Sequence, residues 1–246
     1  MESKVDRSKA INKTILVIMP NNPGDVIMAL YALTTFKVQH PQTLIHYLVD
    51  AECQDLIINN PIIEKAWVLP RSNISKATSQ KVVDQELESL ADLWKFSFCQ
   101  SINFYQDDIG GLVQSLVQAE KKIGKCFTSE GFYQVQHPWA RYLFAIPANR
   151  NANGYHVVDI YHKMLGLNTS LFNCSLPSAK FLAPFKKYIV LQPGTAWPGK
   201  AWSEKNWLSL ITHLLKKTPI VLIGAPQESF PLLQTIQHPG LKNLIG

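Results

Sequence analysis

Between Thr14 and Met19 the chain holds an unbroken run of β-branched and long apolar residues, and just beyond it the apolar period changes. The run has the length and composition of a buried strand, and Pro20, Asn21, Asn22, Pro23 and Gly24 close it with residues that stop regular structure. From Asp25 onward, Val26, Ala29, Leu30, Leu33 and Phe36 recur at i, i+3, i+4, i+7 and i+10, which is one apolar face of a helix. A second apolar run, Thr43 to Val49, follows at once. A strand, a helix and a strand in that order make a parallel βαβ unit with a right-handed crossover, which commits the chain to an α/β fold.

The alternation continues. The pattern predicts a helix near Glu52 to Ile58, a strand at Lys65 to Leu69, a long helical stretch from Ser79 to Trp94 and a strand around Phe98 to Asn103. Gly131 to Asn153 reads as an aromatic, loop-like stretch that packs as satellite core rather than forming a lid or membrane-facing patch, and a helix follows at Tyr155 to Leu165. Residues 1–13 are polar and read as a flexible tail, residues 14–175 as a first domain, and residues 176–187, with Pro177 and Pro184, as a linker.

In residues 188–246 the α/β pattern restarts, with strands at Tyr188 to Gln192 and Ile220 to Ile223, a loop from Pro193 to Trp202, and a turn at Gly224 to Pro226. One helix starts at Ser203, a second runs to about Gln237, and Asn243 to Gly246 begins a further strand. Ser203 is placed to cap its helix, Glu204 suits the positive end, and Trp207, Leu210, Ile211, Leu214 and Leu215 form one stripe. So few elements are thin cover for both faces of a parallel sheet, so this second domain reads as incomplete.

With 46% apolar and 17% charged residues, the chain is not of the disordered class. No apolar run is long enough to cross a bilayer and the N-terminus has no signal-peptide core, so the expected location is cytoplasmic. The net charge of +6 lies wholly beyond Ser175, where eight lysines face two glutamates. Such a bias fits an anionic ligand (a phosphate, nucleic acid or an acidic membrane surface), or simply a solubilising surface. The four cysteines form no C-x-x-C pair and read as reduced thiols. No H-E-x-x-H, Asp-x-Asp, G-x-S-x-G or G-x-G-x-x-G motif is present, so no metal is expected, and neither a serine hydrolase nor a standard dinucleotide enzyme is indicated.

Two places carry candidate chemistry. Gly194 to Ala201 follows a strand and matches G-x-x-x-x-G-K-[ST] except at its last position, where Ala201 lacks the magnesium-binding hydroxyl; a P-loop nucleotidase is therefore the least favoured reading. What remains is the Thr195 hydroxyl, the Lys200 ammonium and the helix N-terminus at Ser203, a set suited to a diphosphate. Asp25 follows a Pro-Gly turn at the carboxyl end of the first strand, where parallel sheets place their ligands. It is either a dipole partner for its helix or a general base.

Taken together, N-N-P-G-D-V (Asn21 to Val26), H-P-x-x-x-I-x-Y-L-V (His40 to Val49) and H-V-V-D-I-Y-H-K-M-L-G (His156 to Gly166) resemble segments of the glycosyltransferase family 9 heptosyltransferases. So do Y-I-V-L-Q-P-G-T-A-W-P-G-K-A-W (Tyr188 to Trp202) and V-L-I-G-A-P-Q-E (Val221 to Glu228). The resemblance implies a GT-B-like α/β fold of two Rossmann-like domains, the second incomplete here because the family's D-S-G-x-x-H segment is not found. It implies metal-independent, inverting transfer of a heptose from a nucleotide-diphosphate sugar to a lipid-linked phosphorylated saccharide of lipopolysaccharide-core type, with no cofactor. Asp25 would be the base, Asn22 and Gly24 would form the acceptor-side loop, Gly194, Thr195, Lys200 and Ser203 would hold the donor diphosphate, and Glu228 would bind its ribose. The family setting also implies peripheral contact with the inner face of the inner membrane and no nucleic-acid partner. The alternative is a truncated, catalytically silent remnant or binding protein.

Overall fold

Strand β1 (Thr14–Met19) is buried on both sides, and its alternating side chains serve two separate cores. Ile15, Val17 and Met19 join one apolar cluster; Leu16 and Ile18 join the other. In the computed structural model, which describes residues 13–168, 176, 183–195, 198–226 and 228–245, the chain divides into two units, Met1–Ser178 and Ala179–Gly246. Apart from Lys13, the expected tail lies outside the described residues, as does much of the expected linker, including Pro177.

After β1 the first unit continues through α1 (Pro23–Gln39), β2 (Leu44–Asp50), β3 (Lys65–Leu69), α2 (Arg71–Ser75), α3 (Gln80–Glu88) and β4 (Ser97–Asn103). It goes on through α4 (Asp108–Leu116), β5 (Gln118–Phe127), β6 (Tyr133–Gln136), α5 (Pro138–Ala145) and α6 (Val157–Met164). The six strands lie in the order β3-β2-β1-β4-β5-β6, all parallel except β6. This is a doubly wound order, with its switch point between β1 and β4. Gly124 in β5 has φ +116°, a conformation that suits glycine, and an added Cβ would crowd the Asn103 carbonyl. At this bend β5 stops pairing with β4 and begins its antiparallel ladder with β6.

Helix α1 is more deeply buried than a one-faced helix. Val26, Ala29, Leu30 and Leu33 pack in the same cluster as Ile160, Tyr161 and Met164 of α6, which is in contact with α1 and, through Tyr161 stacked on Phe104, with the end of β4. Polar residues of α1 are paired within this packing: Thr34 Oγ1 donates to the Leu30 carbonyl, and Thr35 Oγ1 lies 3.0 Å from Nε2 of His162 in α6.

Several elements depart from expectation. The predicted long helix at Ser79 to Trp94 is α3 followed by a separate 3₁₀ turn at Leu93–Lys95, because Leu90 and Leu93 dip into the second core. The helix expected near Glu52 is a 3₁₀ helix, Ala51–Leu56, capped by Asp50. Gly131 to Asn153 is not a loop: it contains β6, α5 and two 3₁₀ turns, and Trp139, Tyr142 and Leu143 of α5 pack against the first core.

The second unit is a parallel sheet, β7 (Ile189–Leu191), β8 (Ile220–Gly224) and β9 (Leu241–Ile245), in that order, with α7 (Glu204–Leu215) after β7 and α8 (Pro231–Gln234) after β8. Ile211, Leu215, Ile220, Leu222 and Leu233 form its core, with Trp207, Leu208 and Leu214 against it; Leu208 rather than Leu210 completes the helix stripe. The last expected helix is only the four residues of α8, with Pro231 at its first position and Thr235 as its C-cap. Val190, Ile223 and Leu244 project from the opposite sheet face and are exposed.

Candidate active site

The first cluster sits at the carboxyl ends of β1 to β4. Asn22 caps α1 through its backbone, accepting from Asp25 N at 3.0 Å and Val26 N at 3.1 Å, and Pro23 stands at the first helical position. Asp25 therefore lies in the first turn, at the positive end of the dipole. It is half-buried, and burial raises its pKa above the ordinary carboxylate value, an effect that Arg71 partly opposes. Asn21 Nδ2 donates to Asp25 Oδ2 at 2.9 Å.

Arg71, the first residue of α2 beyond β3, ties these strand ends together. Its Nε lies 3.4 Å from Asp50 Oδ2 at the end of β2, and its backbone N–H donates to the same oxygen at 3.2 Å. Nη1 donates to Asn21 Oδ1 at 3.0 Å and to the Tyr105 hydroxyl at 3.3 Å, and Nη2 donates to Asn22 Oδ1 at 3.4 Å. From the end of β3 the guanidinium fork thus reaches residues at the ends of three other strands, β1, β2 and β4, on both sides of the switch point. Burial and a hydrogen bond with Asp107 push the Tyr105 hydroxyl up to about 12, so it stays protonated. Cys53 Sγ donates to the Asn21 carbonyl at 3.2 Å, and burial with the nearby Asp50 and Glu52 pushes its thiol up to about 11. Gly24 faces open space: a Cβ there would meet nothing within 4 Å.

The second cluster lies in the other unit, where β7 and β8 end. Glu228 is not on a helix. Its Oε2 accepts from Ala225 N at 3.1 Å, and its carboxylate packs against the α-carbons of Gly194 and Gly224, in space that any side chain would fill. Thr195 and Lys200 are exposed, and Lys200 ends a 3₁₀ turn, Pro198–Lys200. Ala196 and Trp197 of the same loop lie outside the described residues. Ser203 Oγ accepts from Asn206 N at 3.3 Å and so caps α7 as expected. Glu204, in the first turn, does more than face the dipole: Oε1 accepts from Leu232 N at 2.6 Å and Leu233 N at 3.1 Å, capping α8 as well. Among the described residues, no group of three or more His, Cys, Asp or Glu side chains is placed to hold a metal ion.

No protein-family model matches the sequence, and neither does any curated protein. Solved structures do match. A heptosyltransferase WaaC from E. coli, solved with ADP, has 20% identity over 94% of this chain and 74% of its own, with a TM-score of 0.64. The E. coli ADP-heptose lipopolysaccharide heptosyltransferase II has 17% identity over 95% of this chain and 72% of its own, at 0.66. A family 9 glycosyltransferase from Veillonella parvula has 17% identity over 96% and 70%, at 0.71. The chain has the fold of the family 9 heptosyltransferases. It is GT-B-like and α/β, and it is shorter than these solved chains.

Within this heptosyltransferase fold the expected site residues fall into two groups. Asn22, Gly24 and Asp25 gather at the end of β1; Gly194, Thr195, Lys200, Ser203 and Glu228 belong to the second unit, where Gly194 and Glu228 are in contact. Sequence reasoning missed Arg71, Asp50, Tyr105 and the side chain of Asn21. A signal was available for Arg71, since it directly follows Pro70 at the end of a strand read with its correct limits, the edge where parallel sheets carry their function.

Proposed function

We propose that this protein is a family 9 glycosyltransferase that moves a heptose from a nucleotide-diphosphate donor to a phosphorylated saccharide of lipopolysaccharide-core type. The observation that carries the reading is Asp25: a carboxylate with a raised pKa, half-buried at the carboxyl edge of the sheet, held by one oxygen. A base whose pKa is drawn toward the working pH takes a proton more effectively than an ordinary aspartate. Asp25 removes the proton from the acceptor hydroxyl as that oxygen attacks the anomeric carbon. The bond from that carbon to the diphosphate breaks, and the anomeric configuration inverts.

The departing diphosphate carries the developing charge. Thr195, Lys200 and the N-terminus of α7 at Ser203 receive it with a hydroxyl, an ammonium and the backbone dipole, and Glu228 accepts from the donor ribose. ADP is the nucleotide to try first, because solved structures of this fold hold ADP and ADP-2-deoxy-2-fluoro heptose. No described helix is long and apolar enough to cross a membrane, and a lipid-linked acceptor would be met by peripheral contact with the inner membrane.

The test is calorimetric titration of the full chain with ADP, with Lys200→Ala as control. Micromolar binding lost in the variant supports the donor assignment. Absence of heat with the unmodified protein refutes it and favours a silent binding protein. Transfer from ADP-heptose to heptose-deficient lipopolysaccharide, followed by mass, tests the reaction itself.

A further inference from the structure

Asn21 is held at every polar group it has. Its N–H donates to the Met19 carbonyl at 2.9 Å, its carbonyl accepts from Cys53 Sγ, its Oδ1 accepts from Arg71 Nη1, and its Nδ2 donates to Asp25 Oδ2. The orientation of the amide follows from its partners. Turning it over would set Oδ1 against the carboxylate and the NH₂ group against the guanidinium, replacing two attractive contacts with two repulsive ones. Arg71 is itself fixed by Asp50, through both Nε and its backbone N–H. A chain of contacts therefore runs from Asp50 through Arg71 and Asn21 to Asp25.

We propose that Asn21 is a positioning residue for Asp25: with its amide locked by Arg71, it binds one carboxylate oxygen and leaves the other, Oδ1, directed to the acceptor hydroxyl. This rests on the reading of Asp25 as the base. Among the described residues Asp25 Oδ1 has no hydrogen-bond partner, as an oxygen that must take a proton requires. The charge-assisted bond from Asn21 favours the ionised form, against the burial that favours the neutral one. The titratable and charged groups around Asp25 are Arg71 of α2, Cys53 of the 3₁₀ helix after β2 and Tyr161 of α6; Asp50 and Tyr105 act on it through Arg71. Burial and the Asp25 charge keep the Tyr161 phenol protonated, so Arg71 is the cation that acts on Asp25.

The test titrates Asp25 by the NMR shift of its carboxyl carbon in the full chain, beside the pH profile of transfer from ADP-heptose to heptose-deficient lipopolysaccharide. Asn21→Ala removes the donor and raises the Asp25 pKa by about one unit. Asn21→Asp keeps an acceptor for Arg71 and the side-chain shape but sets a second carboxylate beside the first, and raises the Asp25 pKa further. The acid limb of kcat moves by the same amounts, with KM for ADP-heptose unchanged. An Asp25 titration unmoved in Asn21→Asp, or one that moves while the acid limb of kcat stays in place, overturns the positioning role. Undiminished transfer by Asp25→Asn instead overturns the assignment of Asp25 as base, so the two failures are distinguishable.

Discussion

The carboxylate of Glu228 rests against the α-carbon of Gly194, in the volume that a methyl group there would need. This joins the ends of two neighbouring parallel strands through a polar side chain, and it makes the glycine a condition for the position of Glu228. The obstructing atoms in Gly194→Ala are the far end of a flexible side chain, so Glu228 moves away and stability falls by about 1 kcal/mol or less. If Glu228 accepts from the donor ribose as proposed, ADP affinity, measured by calorimetry, falls by about tenfold. Gly110→Ala is the contrasting case. A Cβ there overlaps the Tyr105 backbone carbonyl, which cannot step aside, and the expected loss is about 3 kcal/mol in urea denaturation.

Asp25→Asn is expected to abolish transfer without destabilising the protein. The folded pKa of Asp25 is raised, so the native state holds its proton more tightly than the unfolded chain does, and stability falls as pH rises from the unfolded pKa through the folded one. At neutral pH the ionised carboxylate therefore costs stability. The neutral variant should melt at the same temperature or slightly higher while product formation, followed by mass, disappears.

His46 predicts acid sensitivity. Burial against Phe96, Phe98 and Trp67, then the charge of Lys65, lowers its pKa to about 4, and Trp67 Nε1 donates to its Nδ1 at 3.3 Å. A lowered histidine pKa means that the unfolded chain binds the extra proton first. Stability is then full above about pH 6.5 and declines as pH falls toward 4, by at most about 3 kcal/mol. His46→Gln, which keeps an acceptor for Trp67, should flatten that decline in urea melts between pH 7 and 4.

Glu204→Ala removes the acceptor for two backbone N–H groups at the start of α8. A loss of about 1 kcal/mol is expected, with faster amide hydrogen exchange at Leu232 and Leu233.

The legible parts of the fold are those where local chemistry and tertiary environment agree. β1, α1, β2 and β3 carry unbroken apolar runs or a clear helical period, and Ser203 caps α7 by its own side chain. β5 was not legible, because its first half mixes lysines and a glutamate with few apolar residues, and Gly124 reads as a breaker where it is in fact a bend within one strand. α5 was hidden by its aromatic residues, which have no strong helical preference and are held by packing on the first core. In the candidate site, Asp25 could be read from its position after a Pro-Gly turn. The position of Arg71 after Pro70 at a strand end was equally open to reading, but its contacts were not, because its partners Asn21 and Tyr105 lie 50 and 34 residues away and meet it only when the strands align.

Because β1 alternates its side chains between two cores, neither layer of the first unit can loosen while the other stays intact. Shortening Val17 or Leu16 should lower the unfolding free energy of both layers together, so that amide exchange accelerates in α6 and α4 alike. The strand that ends at the Asp25 turn is thus also the one that couples the two layers, linking the precision of the Asp25 carboxylate to the stability of both.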